Sequence, residues 1–97
     1  MKRHGIDFDS TITDDPEYFR EIIMLGMSRG HSVVIVTARR PTPENKADVE
    51  AFLQEHNFPK INVFYTSLTS KIEYMKKAGM PVDWWTDDDP LTCAMGH

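Results

Sequence analysis

Two aspartates near the start of the chain, Asp7 and Asp9, flank one apolar residue in the segment GIDFDST. The segment resembles the end of a short strand, and the first strand of a small protein is normally buried. An unpaired buried carboxylate costs several kcal/mol or takes up a proton. The pair therefore lies either at an exposed edge or beside a partner that favours its charge. Carboxylates placed this way suit an oxygen-only metal site, nucleophilic attack and proton transfer.

Other polar residues follow the ends of later predicted elements. Thr37 ends the apolar run in VVIVTARRP, and Lys71 opens a helical pattern in TSLTSKIEYMKK. An acidic run, Asp87, Asp88 and Asp89, ends the segment DWWTDDDP. A lysine in the first turn of a helix opposes the helix dipole, so Lys71 gains only if an anion lies near.

Short β-like runs alternate with helical patterns along the chain. We predict strands over residues 4–9, 31–37, 61–66 and 82–87. Residues typical of helix starts are Asp15, Thr42 and Ser70, and residues typical of helix ends are Gly30, Asn57 and Gly79. The apolar faces that helical spacing predicts are Phe19, Ile22 and Ile23 in the first helix and Val49, Phe52 and Leu53 in the second.

This alternation predicts a three-layer, Rossmann-like α/β fold with about four parallel strands, in one domain over residues 1–97. We expect the strand order 3-2-1-4. In such sheets ligands bind beyond the carboxyl ends of the strands, where the strand order reverses. Asp7 and Asp9 would then lie at the rim of the sheet rather than deep in the core.

Composition narrows the function classes. The chain has 97 residues, 40% hydrophobic and 27% charged, with a net charge of −4. That acidic balance argues against a large nucleic-acid footprint, so nucleic acid is expected only as a substrate. The longest aliphatic run, residues 33–36, is too short to span a membrane. The first residues lack the apolar run of a signal peptide, and a lone Cys93 fits a reducing compartment, so we expect a cytoplasmic protein.

The ordered set of polar residues resembles the haloacid dehalogenase (HAD) superfamily of phosphohydrolases, and the resemblance spans nearly the whole chain. Its four motifs have counterparts here in matching contexts: Asp7, Asp9 and Thr11 for the first, Thr37 for the second, Lys71 for the third, and Asp87 with Asp88 for the fourth. One departure is Ser10, which stands where many members have glycine. Each motif alone is weak, but four in order are specific.

The resemblance implies Mg²⁺-dependent hydrolysis of phosphate monoesters. Asp7 would attack phosphorus to give an aspartyl-phosphate, and Asp9 would protonate the leaving oxygen and then deprotonate the attacking water. Thr37 and Lys71 would hold the transferring phosphoryl oxygens.

The implied metal ligands come from the first and fourth motifs. They are the Asp7 carboxylate, the Asp9 backbone carbonyl and Asp87, with Asp88 binding more remotely or through water. Residues beside the first two motifs, Ser10, Thr11, Ala38 and Arg39, would contact the substrate.

Several other interpretations fit part of the pattern. Each acidic segment could be a solvated strand end or turn, and a calcium loop would begin like DFDSTITDDPEY. Such a loop needs glycine where Ile12 stands and glutamate where Tyr18 stands. A receiver domain needs an acid after the third strand, which ends in FYTS. The alternative kept beside the phosphatase is a catalytically idle domain that binds Mg²⁺ and phosphate or serves as a scaffold.

The substrate is less well indicated. The segment after the first motif, ITDDP, is too short for a cap, and a plain helix–strand unit separates the second and third motifs. We therefore expect an open site that accepts a small phosphorylated molecule or an exposed phosphate on a larger carrier, or else takes a lid from a second copy in a homo-oligomer. Arg39, two residues beyond Thr37, could pair with a second phosphate or a base edge, which favours nucleotides or nucleic-acid ends.

Overall fold

The computed structural model describes residues 1–88, so Asp89 and Cys93 lie outside the described residues. Across residues 1–88, seven strands and helices alternate: β1 (Arg3–Ile6), α1 (Pro16–Ser28), β2 (Ser32–Thr37), α2 (Pro43–Glu55), β3 (Val63–Tyr65), α3 (Lys71–Lys77) and β4 (Trp84–Thr86). The four strands form one parallel sheet in the order β3-β2-β1-β4. The predicted Rossmann-like α/β fold and strand order are confirmed. Within residues 1–88 no helix has the length and apolarity needed to cross a membrane.

The helices begin where the sequence predicts. The side chains of Asp15, Thr42 and Ser70 each accept a hydrogen bond from the backbone N–H three residues on, at 3.2, 3.1 and 3.4 Å. Proline follows the first two caps, where its missing N–H costs nothing. Gly30 and Gly79, which follow α1 and α3, have φ of +85° and +75°, a conformation that glycine adopts without steric cost.

The core lies on both faces of the sheet, and β2 contributes to each. Val33 and Ile35 face α1 and α2, whereas Val34 and Val36 pack with Met75 of α3. The predicted apolar faces of the first two helices pack against the first of these clusters, with Ile23, Val49 and Leu53 buried and Phe19, Ile22 and Phe52 partly buried. Because a strand alternates its side chains, a strand covered on both faces must be apolar along its centre, as β2 is over residues 33–36.

The strands are shorter than predicted. β1 ends at Ile6, so Asp7 and Asp9 follow the strand instead of forming part of it, and β4 ends at Thr86, one residue before Asp87. The backbone changes direction after Phe8, because Ser10 has a left-handed φ of 61° that cannot continue a strand. Asp7 therefore precedes the turn over Phe8–Ile12, and Asp9 lies within it.

Gly5 of β1 has no side chain, which lets the ring of Trp85 in β4 pack close to the β1 backbone. A Cβ atom at Gly5 would lie 3.1 Å from the ring of Trp85 and 3.2 Å from Val82 Cγ1. We expect Gly5→Val to lower the free energy of unfolding by about 1–3 kcal/mol through overpacking, although valine favours strands more than glycine. Urea denaturation of Gly5→Val and the smaller Gly5→Ala measures this. A valine variant as stable as the wild type would contradict the packing described.

Candidate active site

Asp7 lies at the carboxyl end of β1 with its side chain turned into the protein. Asp7 as a whole is 5% exposed. Its backbone N–H donates to the carbonyl oxygen of Thr86, 2.9 Å away, and this hydrogen bond extends the pairing of β1 with β4. The hydroxyl of Thr11 donates to Asp7 Oδ2 at 3.3 Å. The turn over Phe8–Ile12 brings Thr11 back over the strand end, so the predicted contact residue Thr11 supports the Asp7 carboxylate directly.

Lys71 connects Asp7 to the acidic end of β4. Its Nζ donates to Asp7 Oδ1 at 2.7 Å and to Asp87 Oδ2 at 2.6 Å. All three side chains are buried: that of Lys71 is 2% exposed, that of Asp7 7% and that of Asp87 5%. Lys71 is the first residue of α3, where a cation opposes the helix dipole. Asp7 and Asp87 are anions that offset this cost, and they follow the neighbouring strands β1 and β4.

The site carries more negative than positive charge. Carboxylate oxygens of Asp7, Asp87 and Asp88 lie within 4.8 Å of one another, and Lys71 is the ammonium that contacts the first two. Burial and hydrogen bonding with Asp88 raise the pKa of Asp7 to about 7, although Lys71 acts to lower it. For Lys71, burial acts to lower the pKa, but hydrogen bonds to Asp7 and Asp87 outweigh burial and raise it.

This excess of acids can be relieved by a bound cation. Asp7, Asp87 and Asp88 could each offer one oxygen to a metal ion. An all-carboxylate set suits a hard cation, which takes oxygen ligands and neutralises the charge that one lysine leaves uncompensated. The structure therefore brings together three of the four predicted metal ligands.

Asp9 points to a different partner. Both oxygens of its half-exposed carboxylate accept from the guanidinium of Arg39, Oδ2 from Nε at 2.9 Å and Oδ1 from Nη2 at 2.8 Å. The sequence analysis placed both residues in the site but did not predict this pair. Arginine two residues beyond the end of β2 is the feature that could have indicated it, because β2 is the neighbour of β1.

The remaining predicted residues lie at or just beyond the ends of the neighbouring strands β1 and β2. Thr37 is fully buried and its hydroxyl oxygen accepts from the backbone N–H of Arg39 at 3.3 Å. The N–H of Ser10 donates to Thr13 Oγ1 at 2.9 Å, and the carbonyl of Ala38 accepts from the N–H of Leu68 at 2.8 Å.

The segment before α3 was not predicted to contribute to the site. Ser67 and Leu68 both have positive φ, 55° and 65°, which is uncommon for residues other than glycine. Backbone hydrogen bonds join Ser67 to Arg39 and Leu68 to Ala38, so this turn is tied to the end of β2 before the chain enters α3 at Lys71. The run TSLTS in the sequence indicates a turn but not its partner.

The chain has no detectable similarity to known proteins that would identify the site. No family model matches the chain, and comparison with curated proteins and with solved structures gave no match either.

A separate groove between α2 and β3, with Leu53, Phe58 and Tyr65 among its lining residues, contains none of the acids described above.

Replacing Lys71 tests whether the acids depend on its charge. Lys71→Met should lower the free energy of unfolding in metal-free buffer by about 3–5 kcal/mol, because Asp7 and Asp87 lose their buried counter-ion. Urea denaturation in the presence of EDTA measures the loss. Lys76→Met is the matched control, since Lys76 lies on the same helix, is 60% exposed and pairs with Glu73 at 3.8 Å. Equal effects of the two substitutions would contradict the role given to Lys71.

Metal binding should raise the melting temperature by several degrees at millimolar Mg²⁺, because the ion binds only the folded acidic cluster. The proton on Asp7 competes with the metal, so with a pKa of about 7 the rise should be larger at about pH 8 than at about pH 6. Differential scanning fluorimetry measures both. Asp7→Asn should abolish most of the rise, whereas Glu21→Gln, an equal charge change on the exposed face of α1, should not. A rise that is independent of pH would place the metal elsewhere.

Proposed function

We propose that the chain is a Mg²⁺-dependent phosphomonoesterase of the HAD type that acts through an aspartyl-phosphate. The observation that carries the proposal is the Lys71 ammonium held between Asp7 and Asp87, with Asp88 alongside. This arrangement holds one carboxylate rigidly at a strand end, next to a fixed cation and to further metal-ligating oxygens. A phosphate dianion could approach a carboxylate only in such surroundings, since the two repel each other.

In the first half of the reaction an oxygen of Asp7 attacks phosphorus. The bond between phosphorus and the ester oxygen breaks as the aspartyl-phosphate forms, and Asp9 gives a proton to the leaving oxygen. Lys71 and the Thr37 hydroxyl lie at the same rim and would stabilise the phosphoryl oxygens. A Mg²⁺ ion held by Asp7, Asp87, Asp88 and the Asp9 carbonyl would neutralise the negative charge of the phosphoryl oxygens.

The second half restores the enzyme. Asp9 takes a proton from water as the water oxygen attacks phosphorus, the bond between phosphorus and the Asp7 oxygen breaks, and inorganic phosphate leaves. Each turn therefore consumes one water and returns both aspartates to their initial forms. The rim position of the site supports substrates whose phosphate is exposed. The place of Arg39 in the sequence favours nucleotides or nucleic-acid ends, a preference that depends on a substrate contact by Arg39.

A generic aryl phosphate tests this function. The wild type should hydrolyse p-nitrophenyl phosphate with Mg²⁺ and lose turnover with EDTA. Asp7→Asn should lower kcat by at least about a thousandfold, because the amide keeps the shape but is no nucleophile.

Circular dichroism of Asp7→Asn shows whether the fold is retained, and Glu21→Gln, which changes the same charge on α1, should keep wild-type turnover. Wild-type turnover by Asp7→Asn would exclude the aspartyl-phosphate route. No Mg²⁺-dependent turnover on a panel of nucleotides, sugar phosphates and phosphorylated oligonucleotide ends would favour the idle domain that binds metal and phosphate.

A further inference from the structure

We infer that Arg39 is a positioning residue whose guanidinium holds the carboxylate of Asp9 in place, so that it acts on the reaction through Asp9 and not on the substrate. The inference rests on the proposed function, because only there does Asp9 transfer protons. It assigns Arg39 a different task from the substrate contact that its place in the sequence suggested.

The geometry of the pair is that of a fixed contact. Two nitrogens of one guanidinium, Nε and Nη2, donate to the two oxygens of one carboxylate, at 2.9 and 2.8 Å. Parallel, charge-assisted hydrogen bonds of this kind set the plane of the carboxylate as well as its distance. A single lysine nitrogen in the same place would supply charge without that orientation.

Asp9 depends on this contact for its orientation. Its side chain is 50% exposed, and Arg39 is the residue that hydrogen-bonds its carboxylate within the described part of the chain. The preceding and following residues are Phe8, which is buried, and Ser10, whose left-handed backbone starts the turn. An exposed aspartate with no side-chain partner exchanges freely among rotamers, which would move a proton-transferring oxygen in and out of reach.

Arg39 is itself anchored from α2. Its Nη1 donates to Asn45 Oδ1 at 3.5 Å, and its guanidinium carbon lies 5.4 Å from the centre of the Phe8 ring. Asn45 belongs to the first turn of α2, where its N–H donates to the capping hydroxyl of Thr42 at 3.1 Å. Arg39 therefore links Asp9 to the start of α2.

The pair leaves Asp9 able to transfer protons. An ionised carboxylate has about four acceptor positions, and the guanidinium occupies one on each oxygen, so further positions stay open. The guanidinium is less available, because its Nε and Nη2 are engaged by Asp9. A substrate phosphate could pair with that same Nε–Nη2 edge only if this contact broke. We therefore expect loss of Arg39 to lower kcat while leaving KM nearly unchanged.

The test is a double-mutant cycle on phenyl phosphate, a small substrate whose leaving oxygen needs a proton. Arg39→Ala should lower kcat by about tenfold to a hundredfold, the cost of a misplaced catalytic group, with KM within about twofold of the wild type. Combined with Asp9→Asn, it should lower kcat no further than Asp9→Asn does alone, because both changes remove the same function. Arg39→Lys should recover little, since it restores charge without the paired contact.

Arg40→Ala is the matched control, as Arg40 is the exposed neighbour outside the site, and it should keep wild-type kcat. The inference is overturned if the losses from Arg39→Ala and Asp9→Asn multiply in the double variant, or if Arg39→Ala raises KM at unchanged kcat. Either result would make Arg39 a substrate contact while the phosphatase proposal stands. Should Arg39→Ala fail to fold, Arg39→Lys supplies the same comparison. A wild type with no turnover on any substrate would instead overturn the proposed function, and this inference with it.

Discussion

The buried ammonium of Lys71 is the interaction on which the arrangement of the site depends. Taking one cation and two carboxylates out of water is costly, and only close pairing at 2.7 and 2.6 Å offsets that cost. The pairing requires the ends of β1 and β4 to be neighbours and α3 to start beside them. The strand order places them so, and the turn before α3, tied by backbone hydrogen bonds to the end of β2, directs Lys71 towards them.

The two aspartates of the first motif serve different parts of this rim. Asp7 faces β4 and α3 and is buried, whereas Asp9 faces the end of β2 and is half exposed. The left-handed backbone at Ser10 belongs to the turn that contains Asp9, and glycine would adopt that conformation without steric cost. For the proposed mechanism, a buried carboxylate held by an ammonium suits a nucleophile, and an exposed one held by a guanidinium suits a group that exchanges protons with substrate and water.

The excess of acids in the site links its stability to its chemistry. Three carboxylates lie together and one ammonium contacts two of them. Burial and hydrogen bonding with Asp88 raise the pKa of Asp7 to about 7. Such a site holds the fold less well than apolar packing would, and it gains from binding a cation. The two apolar clusters on either side of the sheet stabilise the fold and offset the cost of the strained backbone and buried charges at the site.

Local chemistry alone determined much of this protein. The apolar β2, the caps at Asp15, Thr42 and Ser70, and the glycines after α1 and α3 all act over a few residues, so the sequence predicts the elements, their order and the parallel sheet. Alternation and spacing also placed Asp7, Lys71 and Asp87 at one rim.

Which side chains pair there was decided only by the tertiary structure. The bond between Asp9 and Arg39 joins residues 30 apart, and that between Lys71 and Asp7 joins residues 64 apart. Such contacts depend on strand ends, turn directions and burial that no short stretch of sequence encodes.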